Sequence, residues 1–258
     1  MIRFNAVTRT YGSKVAVNNL SLVIPPGELF AFLGPNGAGK TTAIKMLTGL
    51  LRPSQGSVSV CGHDTVAQTR EATRLIGFVP EEGFLYDKLT GREFLEFAAD
   101  MRGFDAVERS ERIARQAEVF EMVEYLDDLT ETYSHGMRQR LIFAAAMLHD
   151  PPVLVVDEPM VGLDPKSVRL VKDLLRQRAS AGATVFMSTH TLSVAEEIAD
   201  RIGIIDRGRL NFLGTLGELR QAFRDESRSL EHLFLELTKN NGDGAPFEAR
   251  PAPSDQTS

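Results

Sequence analysis

Apolar residues in the first eighty positions come in short blocks cut by turn chemistry. Residues 2–7 and 20–24 read as strands, and Pro25-Pro26-Gly27 makes a turn before the apolar run at 29–33. Two more short strands are expected at 57–60 and 75–79. From residue 90 to 149 the period changes, and 93–101, 107–119 and 134–149 carry helical spacing and helix-forming residues. Strand–helix alternation then returns, with strands at 153–156, 184–187 and 202–205 and helices at 165–181 and 192–199. The last strand runs into Asp206-Arg207-Gly208-Arg209, a hairpin signal. This pattern argues an α/β core with a helical insertion. Residues 239–258 hold Gly, Pro, Asn, Asp and Ser with almost nothing to bury, so they are expected to be disordered. No internal repeat is visible.

The junction between the apolar run at 29–33 and the helical stretch that follows reads Gly34-Pro35-Asn36-Gly37-Ala38-Gly39-Lys40-Thr41-Thr42. It meets the G-x-x-x-x-G-K-[ST] template in full, in the strand–loop–helix context that the template requires. Glycines let successive backbone amides point inward without a Cβ clash, and the helix that follows offers its unpaired N-terminal amides to phosphate. Lys40 would meet the terminal phosphates and Thr41 would hold magnesium through its hydroxyl. A magnesium shell needs a carboxylate as well. The apolar run Val153-Leu154-Val155-Val156 ends in Asp157-Glu158. Asp157, at the carboxyl end of a buried strand, would sit beside Thr41 and the metal. Glu158, one residue further along an extended chain, points elsewhere and could address an attacking water as general base.

Composition narrows the classes. The chain has 258 residues, 43% of them hydrophobic and 25% charged, as expected of a globular protein. Its net charge of −6 gives no global basic field, so nucleic acid is not an expected partner. A single cysteine, Cys61, cannot form an internal disulfide and fits a reducing compartment. Residues 1–10 show no secretory leader. The longest unbroken apolar run, at 141–148, is far short of the ~20 residues that cross a bilayer, so the chain is not expected to span a membrane by itself.

Taken together, these motifs resemble the ATP-binding subunits of ABC transporters over roughly residues 2–220. Besides the loop and the acidic strand, Tyr133-Ser134-His135-Gly136-Met137-Arg138-Gln139-Arg140 stands where that family keeps Leu-Ser-Gly-Gly-Gln. Tyr133, His135 and Met137 depart from the pattern; Ser134 and Gly136 keep it. The resemblance implies a phosphate-loop ATPase core with an antiparallel β subdomain and an inserted α-helical subdomain. Residues 1–220 would form the ATP-binding domain with the helical part at about 87–150, and 221–258 a C-terminal extension. It implies ATP and Mg2+ as cofactors. Two cassettes, alike or different, would clamp nucleotide head to tail, with Ser134 and Gly136 of one facing the phosphate loop of the other.

Further residues carry over on the same resemblance. Tyr11, in a Thr-Tyr-Gly turn, would stack on adenine, although a buried core tyrosine is the plain alternative. Asp164, in Gly162-Leu163-Asp164, would join the two nucleotide sites, and it caps the helix opened by Pro165 in any case. His190 matches the switch histidine. Glu81 stands where the family usually has Gln beside the metal; it and Glu82 could equally be solvated loop residues. Phe84, Leu85 and Tyr86 suggest an anchor for a transmembrane permease on the cytoplasmic face of the inner (cell) membrane, or ordinary core packing. The segment 229–238 resembles the ending of exporter ATPases, which favours export. A soluble ABC-type switch not tied to a transporter is the rival, and a switch that binds ATP without turnover is opposed by Glu158 and His190.

Overall fold

The computed structural model describes residues 1–223 and 230–239. Period-2 burial builds its first layer. β1 (Ile2–Tyr11) and β2 (Lys14–Ile24) pair antiparallel, with Ile2 opposite Ile24 and Phe4 opposite Leu22. Those four side chains are buried while Arg3 and Val23 between them face outward. β3 (Leu29–Leu33) leaves this layer, is buried at every position, and feeds through the glycine-rich loop into α1 (Lys40–Leu47). β4 (Gln55–Val60) returns to pair with β1, and β5 (His63–Asp64) closes an antiparallel sheet ordered β2-β1-β4-β5. After α2 (Thr69–Arg74), β6 (Ile76–Val79) joins a second sheet.

The helical insertion follows. α3 (Gly91–Arg102) starts on a capping box between Thr90 and Glu93 and stops at Gly103, whose φ of 82° suits glycine. α4 (Ala106–Val119) is capped by the Asp105 carboxylate, and α5 (His135–Met147) by the Ser134 hydroxyl. The chain then re-enters the second sheet through β7 (Val153–Asp157), α6 (Pro165–Ser180), β8 (Thr184–Thr189), α7 (Leu192–Ile198), β9 (Arg201–Asp206) and β10 (Arg209–Gly214). The order is β10-β9-β3-β8-β7-β6, parallel throughout except that β10 runs antiparallel to β9. α8 (Leu216–Ala222) and α9 (Leu230–Lys239) pack at the end of the chain, α9 burying Leu230, Leu233 and Leu237. No helix among the described residues is long and apolar enough to cross a membrane.

β3 is buried on both faces because it separates two cores. Phe30 and Phe32 point to the antiparallel sheet, where they meet Phe4 and Phe186; Leu29, Ala31 and Leu33 point to the helices. The Phe32 and Phe186 ring centres are 5.4 Å apart and tilted, within the range in which aromatic pairs attract.

The α/β core, helical insertion and hairpin ending expected from the pattern are present. β1 and β2 are longer than expected, and β5, α2 and α8 had no strong periodic signal. Apart from Lys239, which ends α9, the segment expected to be disordered lies outside the described residues, as does Ser229. Truncating Phe186 to Ala empties the junction of the two sheets; an apolar loss of this size costs about 3–5 kcal/mol. Urea unfolding of Phe186→Ala is expected to show a lowered midpoint with an unchanged slope.

Candidate active site

The loop between β3 and α1 is shaped by close backbone approach. A Cβ on Gly34 would lie 2.4 Å from the Ile205 carbonyl oxygen, and one on Gly39 2.5 Å from that of Ala16. Gly37 and Gly39 have φ of 80° and 114°, where side chains are strained. Gly39 caps α1 with no side chain, so the first amides of α1 are left for a ligand. Pro35 and Asn36 cover the loop's outer turn, and Ala38 is buried beneath it, accepting a hydrogen bond from Gly208 N. Lys40 is buried to 6% exposure. Its ammonium donates to the Gly34 carbonyl at 2.6 Å and lies 3.5 Å from Glu158 Oε1.

The partner acids end β7. Asp157 is 3% exposed, and Ser188 Oγ donates to its Oδ1. Burial pushes the Asp157 carboxyl above its ordinary range. The Ser188 hydrogen bond opposes this, the Glu158 charge adds to it, and Thr41 and Lys40 pull it back. Glu158 does not continue the extended chain as the sequence reading expected. Its φ is 48°, and its amide donates to Ser188 O at 3.1 Å and Oγ at 3.2 Å. This left-handed turn folds the carboxylate back over the loop. Its Oε1 faces Lys40, while Oε2 lies 2.9 Å from His190 Nδ1 and accepts from His190 N at 3.2 Å. His190 is half exposed, directly beyond β8.

Lys40 and Glu158 border a cleft of about 430 Å³, walled also by Tyr11, Lys14, Gly37, Thr41, Thr42 and Glu81. Tyr11 is 46% exposed, which removes the buried-core alternative. The Arg9 guanidinium lies 4.6 Å from the centre of its ring and donates to Arg52 O, bracing the ring against β1. Glu82 is exposed and outside the cleft wall. Leu85 is 4% exposed and packs in the helical core, so of the proposed anchor only Phe84 and Tyr86 are free.

Ser134, Gly136 and Asp164 form a second group, outside the cleft wall of their own chain. Ser134 Oγ accepts from Met137 N at 3.3 Å. A Cβ on Gly136 would lie 3.4 Å from Asp164 Oδ2, so the N-termini of α5 and α6 sit side by side. The Asp164 carboxylate caps α6, accepting from Lys166 N, Ser167 N and Ser167 Oγ. These bonds, Ser167's above all, hold its carboxyl below the ordinary range. Sequence reasoning missed Lys14, Arg9 and Ser188. Only Ser188, a hydroxyl that follows the apolar run Val185-Phe186-Met187 in β8, left a signal that could have been read.

Among the described residues no three His, Cys, Asp or Glu side chains cluster as a metal-binding set. The Thr41 hydroxyl and the desolvated Asp157 carboxylate, whose charged form that hydroxyl favours, are hard oxygen donors at the base of the loop. That pair suits a small divalent cation which takes its remaining ligands from phosphate and water.

Known proteins resemble this chain in sequence and in fold. The sequence pattern of the ABC transporter family matches residues 17–161. The chain is 38% identical over 219 residues to the linearmycin resistance ATP-binding protein LnrL of Bacillus subtilis (strain 168), covering 85% of this chain and 70% of that one. It is 39% identical over 221 residues to the daunorubicin/doxorubicin resistance ATP-binding protein DrrA of Streptomyces peucetius, covering 86% and 67%. A solved ATP-binding subunit of an ABC transporter superposes with a TM-score of 0.86 at 31% identity, over 92% of this chain and 99% of that one. The dimeric cassette MJ0796 in a post-hydrolysis state with ADP and Pi superposes with a TM-score of 0.74 at 27% identity, over 84% and 99%. With the loop, the acidic strand and the two-sheet fold all in their places, the chain belongs to the ABC transporter family as an ATP-binding cassette, and it is an ATPase.

Proposed function

We propose that this chain powers export of a substrate through a separate transmembrane permease, working as one of two cassettes at the cytoplasmic face of the cell membrane. The relatives named for resistance to linearmycin and to daunorubicin, and the Nod factor export proteins of Burkholderia, support the export direction. Residues 1–220 form the ATP-binding domain, with the helical subdomain at about 87–150, and 221–258 extend it. The dimeric state of the related cassette supports pairing, since Ser134, Gly136 and Asp164 of this chain lie outside its own cleft.

The observation that carries the catalytic reading is the triple arrangement of Lys40, Glu158 and His190 at the mouth of the loop. Tyr11 stacks on adenine with Arg9 behind it. The amides of the loop from Gly34 to Thr42 and the Lys40 ammonium hold the phosphates, and the Ser134 hydroxyl and Gly136 amide of a second cassette close over them. Thr41 and Asp157 would hold magnesium, with Glu81 on the same cleft wall as Thr41, and the ion would supply positive charge to neutralise the phosphates. A triphosphate competes with Glu158 for Lys40. Released from that pairing and held by His190, Glu158 accepts a proton from the attacking water as the bond between the terminal phosphorus and the ADP oxygen breaks.

Permease contact falls on the helical side. Leu50, Phe84 and Met101 are 66%, 78% and 75% exposed around a groove of about 420 Å³ floored by Phe78 and Ala98. The Tyr86 ring packs edge-on against Phe84 and Phe97, extending the same apolar surface.

Four outcomes test this. Glu158→Gln is expected to bind ATP normally while hydrolysis falls roughly 100-fold or more; near-normal turnover removes Glu158 as the base. Lys40→Ala is expected to lose ATP binding in a fluorescent-nucleotide titration, and unchanged affinity discards the phosphate-loop assignment. Detergent extraction is expected to bring down a multi-spanning membrane protein with the chain. Phe84→Asp should abolish that association and leave ATP affinity unaltered. Isolation of the chain without a membrane partner favours the soluble switch instead.

A further inference from the structure

Gly is usual at the first position of the signature helix in the family this chain resembles, but here the position holds His135, and its imidazole reaches out of α5. His135 Nε2 lies 3.1 Å from the Val161 carbonyl oxygen. Val161 belongs to the turn that carries Glu158. Its amide donates to the Glu158 carbonyl at 3.3 Å, so the segment from Glu158 to Val161 closes on itself. The next residue, Gly162, has φ of 73°, and a Cβ there would sit 3.0 Å from His135 Nε2. The imidazole therefore fills the space that a side chain at position 162 would take.

Glu158 needs such support. A non-glycine residue at φ 48° is strained, and a strained residue persists only where its surroundings over-determine it. On one side Ser188 fixes it, through Glu158 N to Ser188 O and Oγ. On the other, the turn ends at the carbonyl that faces His135. The imidazole is held at its own end, since Ser134 caps α5 and Gly136 lies against Asp164 and Ser167. The His135 side chain thus links the two clusters of the site, one at the loop and one at the paired helix ends.

We infer that His135 is a positioning residue for hydrolysis, its Nε2–H donating to the Val161 carbonyl and holding the turn that aims the Glu158 carboxylate. The inference rests on Glu158 acting as the base proposed above. His135 does not border the cleft of its own chain, so within that chain its loss removes the support of the turn that carries Glu158. Misplacement of that carboxylate lowers kcat and spares binding.

The test uses the full chain. His135→Ala is expected to lower kcat roughly tenfold with KM for ATP unchanged within about twofold. His135→Gln places an amide N–H near the position of Nε2 and is expected to recover most of that loss. In long-range nitrogen–proton NMR at mildly alkaline pH, the wild-type His135 ring is expected to carry its proton on Nε2. Unchanged kcat in His135→Ala, a Gln variant as slow as the Ala variant, or a ring protonated on Nδ1 alone would each overturn the assignment. Should His135→Ala fail to fold, the Gln variant and the ring tautomer still decide. Failure of the base reading looks different: Glu158→Gln then hydrolyses ATP near normally, whatever His135 does.

Discussion

In the parallel pairing of β3, β8 and β7, Leu33 stands opposite Thr189 and Asp157 opposite Ser188. That register brings three chain segments out of the sheet at one level. The loop leaves after Leu33, His190 follows Thr189, and Glu158 follows Asp157. A slip of one residue between β7 and β8 would turn Asp157 to the other face and break its bond with Ser188. The register is held from both sides, because β3 and β7 alternate apolar residues into two separate cores. The phenylalanine cluster and the helical core therefore fix the carboxyl ends of the strands, the edge at which parallel α/β sheets place their ligands.

Holding Lys40, Asp157 and Glu158 out of water carries a cost. A buried charge persists only with partners, and removing one member of a buried pair costs about 3–5 kcal/mol by leaving the other uncompensated. Each of the three is answered here. Lys40 has the Gly34 carbonyl and Glu158; Asp157 has Ser188 and Thr41; Glu158 has Lys40 on one oxygen and His190 on the other. Asp157 nonetheless stays above its ordinary carboxyl range, because hydroxyl donors offset only part of its desolvation. The residual mismatch is what a cation beside Thr41 would relieve, so the same feature that strains the protein prepares the site. Loss of activity on altering Lys40 must therefore be read beside a folding measurement, since the pair with Glu158 goes with it.

Local patterns made the loop, the acidic strand and the caps at Ser134 and Asp164 legible in the sequence, because each is set by residues a few positions apart. The contacts that join distant segments were not. Ser188 acts on Asp157 and Glu158 from a neighbouring strand, and Arg9 acts on Tyr11 through space along β1. The exposure of Tyr11 and the burial of Leu85 depend on tertiary packing, and two aromatic or aliphatic residues in turns look alike until that packing is known. The bend at Glu158 was invisible for another reason. Nothing in Asp-Glu-Pro announces a left-handed residue, and only the surrounding hydrogen bonds impose it.

The second cluster gives the geometry its direction. The N-termini of α5 and α6 lie together, with Asp164 spent on its own helix and Ser134 capping its own. A hydroxyl that caps a helix still presents the helix's remaining amides and their partial positive charge outward. Neither group borders the cleft of its own chain, so in the proposed pair each serves its neighbour's nucleotide. His135 then has a consequence beyond local bracing. It ties the end of α5, where the neighbour's phosphate would press, to the turn that carries this chain's own Glu158. Closure over one nucleotide would be felt at the base that acts on the other, through an imidazole and three residues of backbone.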